Sequence, residues 1–540
     1  MAPCGYGLGA DLTLPNDALM LEGDCIPNLY NYSLDCAGHY INGSTSGRAV
    51  AVKPFLYFDH DNGVVKNCVF NGFATGVESS SVLNLSVYNN SFNCPPPTDY
   101  GAVGVLLNQS TNASSIYNNS FTNCTYGVIA FNSSNDNVFH DNNLSVSFTS
   151  NAIGFTSIGC TNNSFYDNQI RNYFVAFYDS SKDLTGNFIA ASTNNSFYSN
   201  NASAYVGVDS KESDYGNYSS NNFSVLYGGA AFYLESSTNA LLQANNVTGN
   251  GEGYGAFLKT STSTQVKDNV FNADKLAVKI YGCHDTILEG NLVSALAALS
   301  IESGSYNLNS SNNNYSGAGS GVNATGGSYA LLFANDSFNA TAQLSVYLDE
   351  SSNMTFLNTT FNKSAAFFGS GSNNFLVRWF VRANVTNYSG GAVGGAAVNI
   401  TNFSSSAPEY ELSTDANGLT PWVAVSEYNQ NGSTVFGDVC VNSAVVKCFT
   451  PHTFDARANG YKPLTQQENL NETRTVDLVL EELITSCRTL SRANQYALLS
   501  QDLSAAGTDC IIIANENITL DCNGHSITGN DAGATYGVKS

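Results

Sequence analysis

Three groups of side chains in this sequence have types and spacings that can do chemistry. Asp59-His60-Asp61-Asn62 is the densest polar cluster in the N-terminal two thirds. Its oxygen ligands and acidic pair suit Ca²⁺, through Asp59 and Asp61. The blander reading is a solvated turn between two strands. Asp179, Asp209 and Glu235 each follow a short apolar segment, and Lys259 takes the same place after the next one. If those segments are strands stacked one above another, the carboxylates line up on one face, ~5–10 Å apart, the range of glycosidase acid/base pairs. Against this stand the unequal lengths between segments, the repulsion of stacked like charges, and the plain alternative that Lys259 and Glu235 form a surface ion pair. His284-Asp285, after Cys283, has the form of a base with an orienting carboxylate, but no nucleophile lies near it in sequence.

What would position these groups is a repeat. Asn-flanked apolar positions recur as Asn67-Cys68-Val69-Phe70, Asn90-Ser91-Phe92, Asn119-Ser120-Phe121, Asn163-Ser164-Phe165, Asn195-Ser196-Phe197 and Asn246-Val247. From Val247 the series runs Val270, Leu292, Tyr315, Phe338 and Phe361, in steps of 23, 22, 23, 23 and 23 residues. Earlier steps vary more, as expected for loops inserted on one side of a solenoid. Each repeat carries a second apolar segment, such as Gly104-Val105-Leu106-Leu107, Gly127-Val128-Ile129-Ala130 or Val278-Lys279-Ile280-Tyr281. Three to five β-branched or aromatic residues bounded by Gly, Ser and Asn are strands with turns between them, not helices. Two or three strands per ~23 residues, repeated about twelve times or more, predict an all-β fold, a right-handed parallel β-helix. Rungs would lie ~4.8 Å apart, with apolar ladders inside and asparagines at the corners hydrogen-bonded along the stack. A leucine-rich horseshoe needs an L-x-x-L-x-L pattern that is absent, and propeller blades need longer repeats.

Composition agrees with this and narrows the partners. Of 540 residues only 12% are charged, about half the usual share, and Asn, Ser, Gly and Thr fill the gap. The net charge is −23, and no cluster of Lys or Arg exists to meet a phosphate backbone, which excludes nucleic acid as a partner. No run of 18 apolar residues offers a transmembrane segment. The first residues, Met1-Ala2-Pro3-Cys4-Gly5, lack the basic and apolar regions of a signal peptide. Roughly thirty N-x-S/T sequons and 13 cysteines nevertheless favour an oxidising, extracellular or cell-surface setting. The chain is therefore expected to be a fragment whose start lies further upstream.

The opening of the chain is matched near its end. Cys4, Asp24-Cys25 and Leu34-Asp35-Cys36-Ala37-Gly38-His39 correspond to Cys487, Asp509-Cys510 and Leu520-Asp521-Cys522-Asn523-Gly524-His525. Both copies read as the start of a β-helix, the second truncated. The run Leu520 to Gly529, with Tyr536-Gly537-Val538 and the rung pattern of residues 26–373, resembles proteins with NosD-type parallel β-helix repeats, of the pectate-lyase-like right-handed class. That resemblance covers about two thirds of the chain. It implies the fold, and a range of roles: surface proteins, carbohydrate-active enzymes, and a periplasmic protein tied to copper delivery. Copper is not expected here, because 6 His and 3 Met are widely scattered.

Residues 374–484 change character. Longer alternating strands begin at Asn374-Phe375-Leu376-Val377, both tryptophans lie here, and Cys440 and Cys448 are placed to bridge a hairpin. About seven strands suggest a β-sandwich, and the region resembles the carboxypeptidase-regulatory-like (transthyretin-like) fold, which implies a spacer or binding module. The expected organisation is a capped β-helix over 1–373, the sandwich over 374–484, and the opening of a second β-helix over 485–540.

The function expected from these readings is that of an extracellular or cell-surface structural or adhesive protein, glycosylated, binding a glycan or a surface protein partner, with Ca²⁺ as the one candidate cofactor. The alternative is a carbohydrate-active enzyme, a polysaccharide lyase or glycoside hydrolase, using Asp179, Asp209 and Glu235. One observation separates them: an enzyme concentrates several Asp, Glu, Lys and Arg side chains in one groove, whereas an adhesin scatters them. In the linear sequence the charges are sparse and dispersed, which leans towards adhesion.

Overall fold

The computed structural model describes residues 4, 10–19, 24–29, 32–43, 45–52, 62–95, 101–147, 151–249, 251, 253–338, 344–350, 352–432, 440–505, 507–529 and 535–540. Asp59 and Asp61, the expected Ca²⁺ ligands, lie outside the described residues. The contacts divide the chain into two compact units, Met1–Met354 with Thr360–Asn373, and Thr355–Thr359 with Asn374–Ser540.

The first unit is a parallel β-solenoid with more turns than the dozen expected. A representative turn has three strands, Ser115–Tyr117, Ser120–Thr122 and Tyr126–Phe131. Each pairs in parallel with its equivalent one turn earlier and one turn later. Ile116 thus lies between Val87 and Phe139, Phe121 between Phe92 and Leu144, and Val128 between Val105 and Phe155. Among the described residues helix is nearly absent: one 3₁₀ turn spans Lys363–Ala365. No helix among the described residues is long and apolar enough to cross a membrane.

The local chemistry of the N-N-S-F signature explains the corner. The first asparagine takes the left-handed conformation, φ 56° at Asn89 and 52° at Asn118, which Asn tolerates better than most residues. The second is buried and stacks on its equivalents. Asn200, for example, donates from Nδ2 to the Phe165 carbonyl at 2.9 Å and to Asn221 Oδ1 at 3.0 Å, and its own Oδ1 accepts from Asn168. The column Asn90–Asn119–Asn142–Asn168–Asn200–Asn221–Asn245–Asn269–Asn291–Asn313 satisfies itself in this way and ends on Asp336. The serine faces out and the phenylalanine faces in. Phe139, Phe165, Phe197 and Tyr218 stack with ring centroids 4.5, 4.7 and 5.3 Å apart, each contributing ~2–3 kcal/mol of burial.

Two details of the expected register are corrected. Asn163-Ser164-Phe165 and Asn195-Ser196-Phe197 belong to the first strand of their turns, the former pairing with Val138–His140 and the latter with Ser164–Tyr166, whereas Asn90-Ser91-Phe92 belongs to the second. The motif is used at two corners, so the uneven early steps are partly a change of face. Val270 and Leu292 also face solvent, and Phe271 and Val293 occupy the interior column instead.

Disulfides tie consecutive turns together at the start of the coil: Cys4–Cys25, Cys36–Cys68 and Cys94–Cys124. Of the remaining thiols, Cys160 and Cys283 are buried and Cys522 is exposed.

In the second unit, Asn374–Asn387 pairs antiparallel with Val423–Gln430 and parallel with Arg474–Leu480. A separate four-stranded antiparallel sheet contains Ala397–Thr401, Tyr410–Ser413, His452–Arg457 and Leu464–Glu468. The two share a core that includes Val385, Val425 and Leu478 from one and Ile400, Phe454 and Ala456 from the other. Cys440 and Cys448 are bridged. From Glu482 onward the pairing is parallel again. The matched openings repeat their contacts. Cys487–Cys510 mirrors Cys4–Cys25, and His525 meets Asp502 at 3.4 Å as His39 meets Asp17 at 3.2 Å.

Candidate functional site

Strand alternation decides which side chains reach the solvent on the third, longest strand of each turn. Tyr178, Asp209, Tyr233, Phe257 and Lys279 form one outward column. Two residues further along each strand, Ser180, Lys211, Glu235, Lys259 and Tyr281 form a second, with Ser180 itself buried. The residues between them face the interior, and Asp179 is one of these.

The expected triple stack of Asp179, Asp209 and Glu235 is therefore corrected. Asp179 pairs with Ser210, not with Asp209, and the pleat turns its carboxylate into the solenoid, where it is fully buried. There it accepts from Ser192 Oγ at 2.6 Å, Asn195 Nδ2 at 2.9 Å and Ser213 Oγ at 2.6 Å. Burial raises its pKa in spite of those donors. Ser192 and Asn195 lie just after the excursion of residues 181–191, so Asp179 anchors the return of that loop and lies off the open surface.

Asp209 and Glu235 do share the open face, on adjacent turns but in different columns. Their Cα atoms are offset by one rung and two residues, ~8 Å in all. Asp209 Oδ2 meets Lys211 Nζ at 3.1 Å, and Oδ1 is buried with no hydrogen-bond partner among the described residues. Glu235 Oε1 accepts from Lys259 Nζ at 2.6 Å and Oε2 from the Tyr233 hydroxyl at 3.3 Å. Lys211 sits over the Tyr178 and Tyr233 rings, 5.6 and 5.9 Å from their centroids.

These surroundings push the two carboxyls apart. Burial raises the Asp209 pKa, only partly opposed by Lys211. The hydrogen bond from Lys259 holds Glu235 below its ordinary value. Burial alone would lower the Lys211 ammonium, but Asp209 beside it more than offsets this. One carboxyl whose pKa is raised and one whose pKa is lowered, on adjacent turns of an open face, have the opposite electrostatic bias of an acid/base pair.

The pair stands between two hollows. One, of about 340 Å³, is lined by Phe174, Tyr205, Asp209, Tyr233, Tyr254 and Phe257 among others. The other, of about 280 Å³, is lined by Tyr178, Lys182, Asp183, Leu184, Lys211 and Glu235 among others. The 181–191 excursion forms one wall of the second, with Lys182 paired to Glu212 at 2.5 Å, and with Leu184 and Phe188 exposed. Lys279 continues the charged surface, 3.1 Å from Glu302 and over the Phe257 ring at 5.4 Å. Sequence reasoning missed Lys182, Lys211 and Lys279. The signal was the alternation itself, in Asp209-Ser210-Lys211, Tyr233-Leu234-Glu235 and Phe257-Leu258-Lys259, where only the outer members of each triplet share a face.

The other candidates lie apart from this groove. His284 Nδ1 is 2.8 Å from Asp285, and its ring stacks on Tyr306. The adjacent Cys283 thiol faces inward and burial pushes its pKa up to about 11, so it is no nucleophile. On the first face Tyr88, Tyr117, His140, Tyr166 and Tyr198 form an outer stack with centroids 4.8 to 5.0 Å apart, each ring covering the next. Among the described residues no group of three or more His, Cys, Asp and Glu side chains could hold a metal ion.

Two family models match the first unit, and one of them extends beyond it. Residues 254–405 match the right handed beta helix region, and residues 179–314 match the periplasmic copper-binding protein NosD. Both matches agree with the parallel solenoid and support a right-handed β-helix repeat. Among the described residues the donors do not cluster as copper would need: His140 is locked in the tyrosine stack and paired to Asp141, the free thiols at Cys160 and Cys283 are buried in the interior, and no group of three or more His, Cys, Asp and Glu comes together. No curated protein sequence matches the chain. Among solved structures it is similar to a double mutant of the tailspike protein of E. coli bacteriophage HK620, at 14% identity over 77% of this chain and 86% of that one, TM-score 0.40. It is also similar to a mutant of the periplasmic alginate epimerase AlgG, at 10% identity over 63% and 83%, TM-score 0.36. A third is the A-module of the Azotobacter vinelandii mannuronan C-5 epimerase AlgE6, at 12% identity over 69% and 89%, TM-score 0.27.

Proposed function

We propose that this chain is an extracellular or cell-surface β-helix protein that binds a polysaccharide across the long-strand face and cleaves it as a glycoside hydrolase. Asp209 is the general acid and Glu235 the ionised partner. The observation that carries this reading is the opposite protonation bias of two carboxyls on adjacent turns, Asp209 raised by burial and Glu235 lowered by Lys259. The charge distribution supports it. Lys182, Lys211, Lys259 and Lys279 fall on one groove with Asp209, Glu212, Glu235 and Glu302, in a chain with 20 basic residues in all. That is the concentration expected of an enzyme.

Asp209, whose pKa burial raises, delivers a proton to the leaving glycosidic oxygen. Glu235, held by Lys259 and Tyr233, activates water from the other side of the bond. Residues 374–484 serve as a carboxypeptidase-regulatory-like β-sandwich spacer, 485–540 open a second β-helix, and exposed sequon asparagines such as Asn89, Asn118 and Asn162 carry glycans.

The adhesive reading has its own support: Lys182, Lys211, Lys259 and Lys279 are each already ion-paired, as on a solvated binding face. A glycan array followed by product analysis of each ligand separates the two. Cleavage lost in Asp209→Asn and Glu235→Gln supports the hydrolase, and binding without turnover leaves the adhesin. Ca²⁺ dependence of either would bring Asp59 and Asp61 into the site.

A further inference from the structure

The hollow on the Asp209 side has an origin in the backbone. Strand Asn222–Glu235 pairs with Asn201–Lys211, and the register slips between Ala204 and Val206, where Val225 and Ala230 are the partners. Tyr205 alone therefore lies opposite four residues, Leu226 to Gly229. Tyr227 and Gly228 take left-handed conformations, φ 53° and 82°, and a Cβ on Gly229 would stand 1.6 Å from the Tyr205 carbonyl oxygen. Only glycine permits this bulge, and the bulge leaves aromatic side chains lining a cavity of about 340 Å³.

The lining is chemically one-sided. Phe174 and Tyr205 stack at 4.9 Å, Tyr233 meets Phe257 edge to face at 5.3 Å, and Tyr254 lies 5.6 Å from Phe257. Asp209 is the one charged side chain among the described lining residues. Its Oδ2 is held by Lys211, and its Oδ1 is buried without a partner. Native structures seldom leave a buried carboxyl oxygen unpaired, so its natural complement is a hydroxyl brought by a ligand.

We infer that this aromatic cleft is a subsite for a neutral pyranose, with the sugar's C–H face against Tyr205, Tyr254 and Phe257 and one hydroxyl on Asp209 Oδ1. This rests on the glycan reading above and names the class of sugar. An acidic sugar would set its carboxylate beside Asp209 with no cation lining the cleft. A cationic ligand would meet an Asp209 already paired with Lys211, with Phe174 and Tyr205 turned against one another and not towards a central charge. A purely apolar ligand would leave Oδ1 unpaired.

The test uses the full chain and three sets of hexasaccharides: neutral (cello-, xylo-, manno-, malto- and N-acetylchitohexaose), anionic (hexagalacturonate) and cationic (the chitosan hexamer). Calorimetry should find saturable binding to at least one neutral member. Tyr205→Ala and Tyr254→Ala should weaken it tenfold or more, while Tyr329→Ala on another strand leaves it unchanged. If either cleft variant fails to fold, saturation transfer from aromatic protons of the unaltered protein to the sugar ring protons replaces it. Tighter binding of the anionic or cationic hexamer, no binding of any neutral one, no saturation transfer, or full affinity in both cleft variants would overturn the inference. Its failure is distinct from that of the hydrolase: cleavage with KM unmoved by Tyr205→Ala leaves the hydrolase standing and removes the subsite. Binding through the aromatics without cleavage does the reverse.

Discussion

Asp336 is the place where the asparagine ladder changes character, and replacing it should have a pH-dependent effect of calculable size. Each asparagine of the column donates its amide to the next rung and to a carbonyl three residues before the preceding asparagine; Asn313 Nδ2, for example, reaches the Leu288 carbonyl at 3.0 Å. Asp336 accepts from the Asn313 backbone N–H at 2.6 Å and its Nδ2 at 3.0 Å through Oδ1 alone. Its Oδ2 is buried without a hydrogen-bond partner among the described residues, and burial raises the carboxyl from 3.8 to about 6. The folded state therefore binds this proton more tightly than the unfolded chain. Stability from the group is fully present below pH 3.8 and is lost as pH rises through about 6. At 1.36 kcal/mol per pKa unit the limit is about 3 kcal/mol, of which ~2.5 falls between pH 4 and pH 8. Asp336→Asn removes the ionisation, and its new amide finds the Ser310 carbonyl by the ladder's own rule. Urea unfolding followed by circular dichroism should show the variant gaining ~2–3 kcal/mol over the unaltered protein at pH 8 relative to the gain at pH 4. If the solenoid unfolds in steps, the transition that includes residues 306–338 is the one compared. A gain equal at both pH values, or a loss at pH 8, would refute the account of the ladder's end.

If Asp209 and Glu235 are the acid and base, turnover should fall on the alkaline side as Asp209 loses its proton and on the acid side as Glu235 gains one. Lys211→Met should carry the alkaline limb to higher pH, because Lys211 lowers the Asp209 pKa; a limb that stays in place counts against Asp209 as the acid. Asp179→Ala should cost ~3 kcal/mol or more by stranding the Ser192, Asn195 and Ser213 donors, measured by thermal melting. Asp179→Asn should keep turnover within roughly threefold, whereas Asp209→Asn should lose ~10²-fold or more; equal losses would return Asp179 to the site. Replacing Cys94 and Cys124 together by serine should lower stability by ~3 kcal/mol, since the bridge closes a 30-residue span between turns, and an unchanged denaturation midpoint would show the staple to be idle.

The residues of the chain carry the repeat in plain view. A β-strand alternates every residue and a turn must reverse the chain, so Asn-Asn-Ser-Phe spells one corner and one strand without help from anything distant. That is why the solenoid, its apolar interior, its asparagine ladder and the matched openings at Cys4 and Cys487 were legible without a structure. The register was less so. Val270 and Phe271 are adjacent and both apolar, and only the stacking of Asn269 on Asn245 decides that Phe271 goes inside.

The candidate site depended on that missing register. Asp179, Asp209 and Glu235 follow equivalent apolar segments, yet a one-residue offset in pairing turns a side chain from the surface to the core, and that offset removed Asp179 from the open face. The bulge at Tyr227 to Gly229, the aromatic cleft it opens, and the meeting of Lys259 with Glu235 across turns arise from residues 24 positions apart or from a local slip of pairing. Local propensity and periodicity could therefore name the fold of this protein from its sequence alone. Which charges meet, and which carboxyl is shifted up and which down, was left to the three-dimensional stack, because burial and pairing are properties of neighbours that the chain brings together only when it coils.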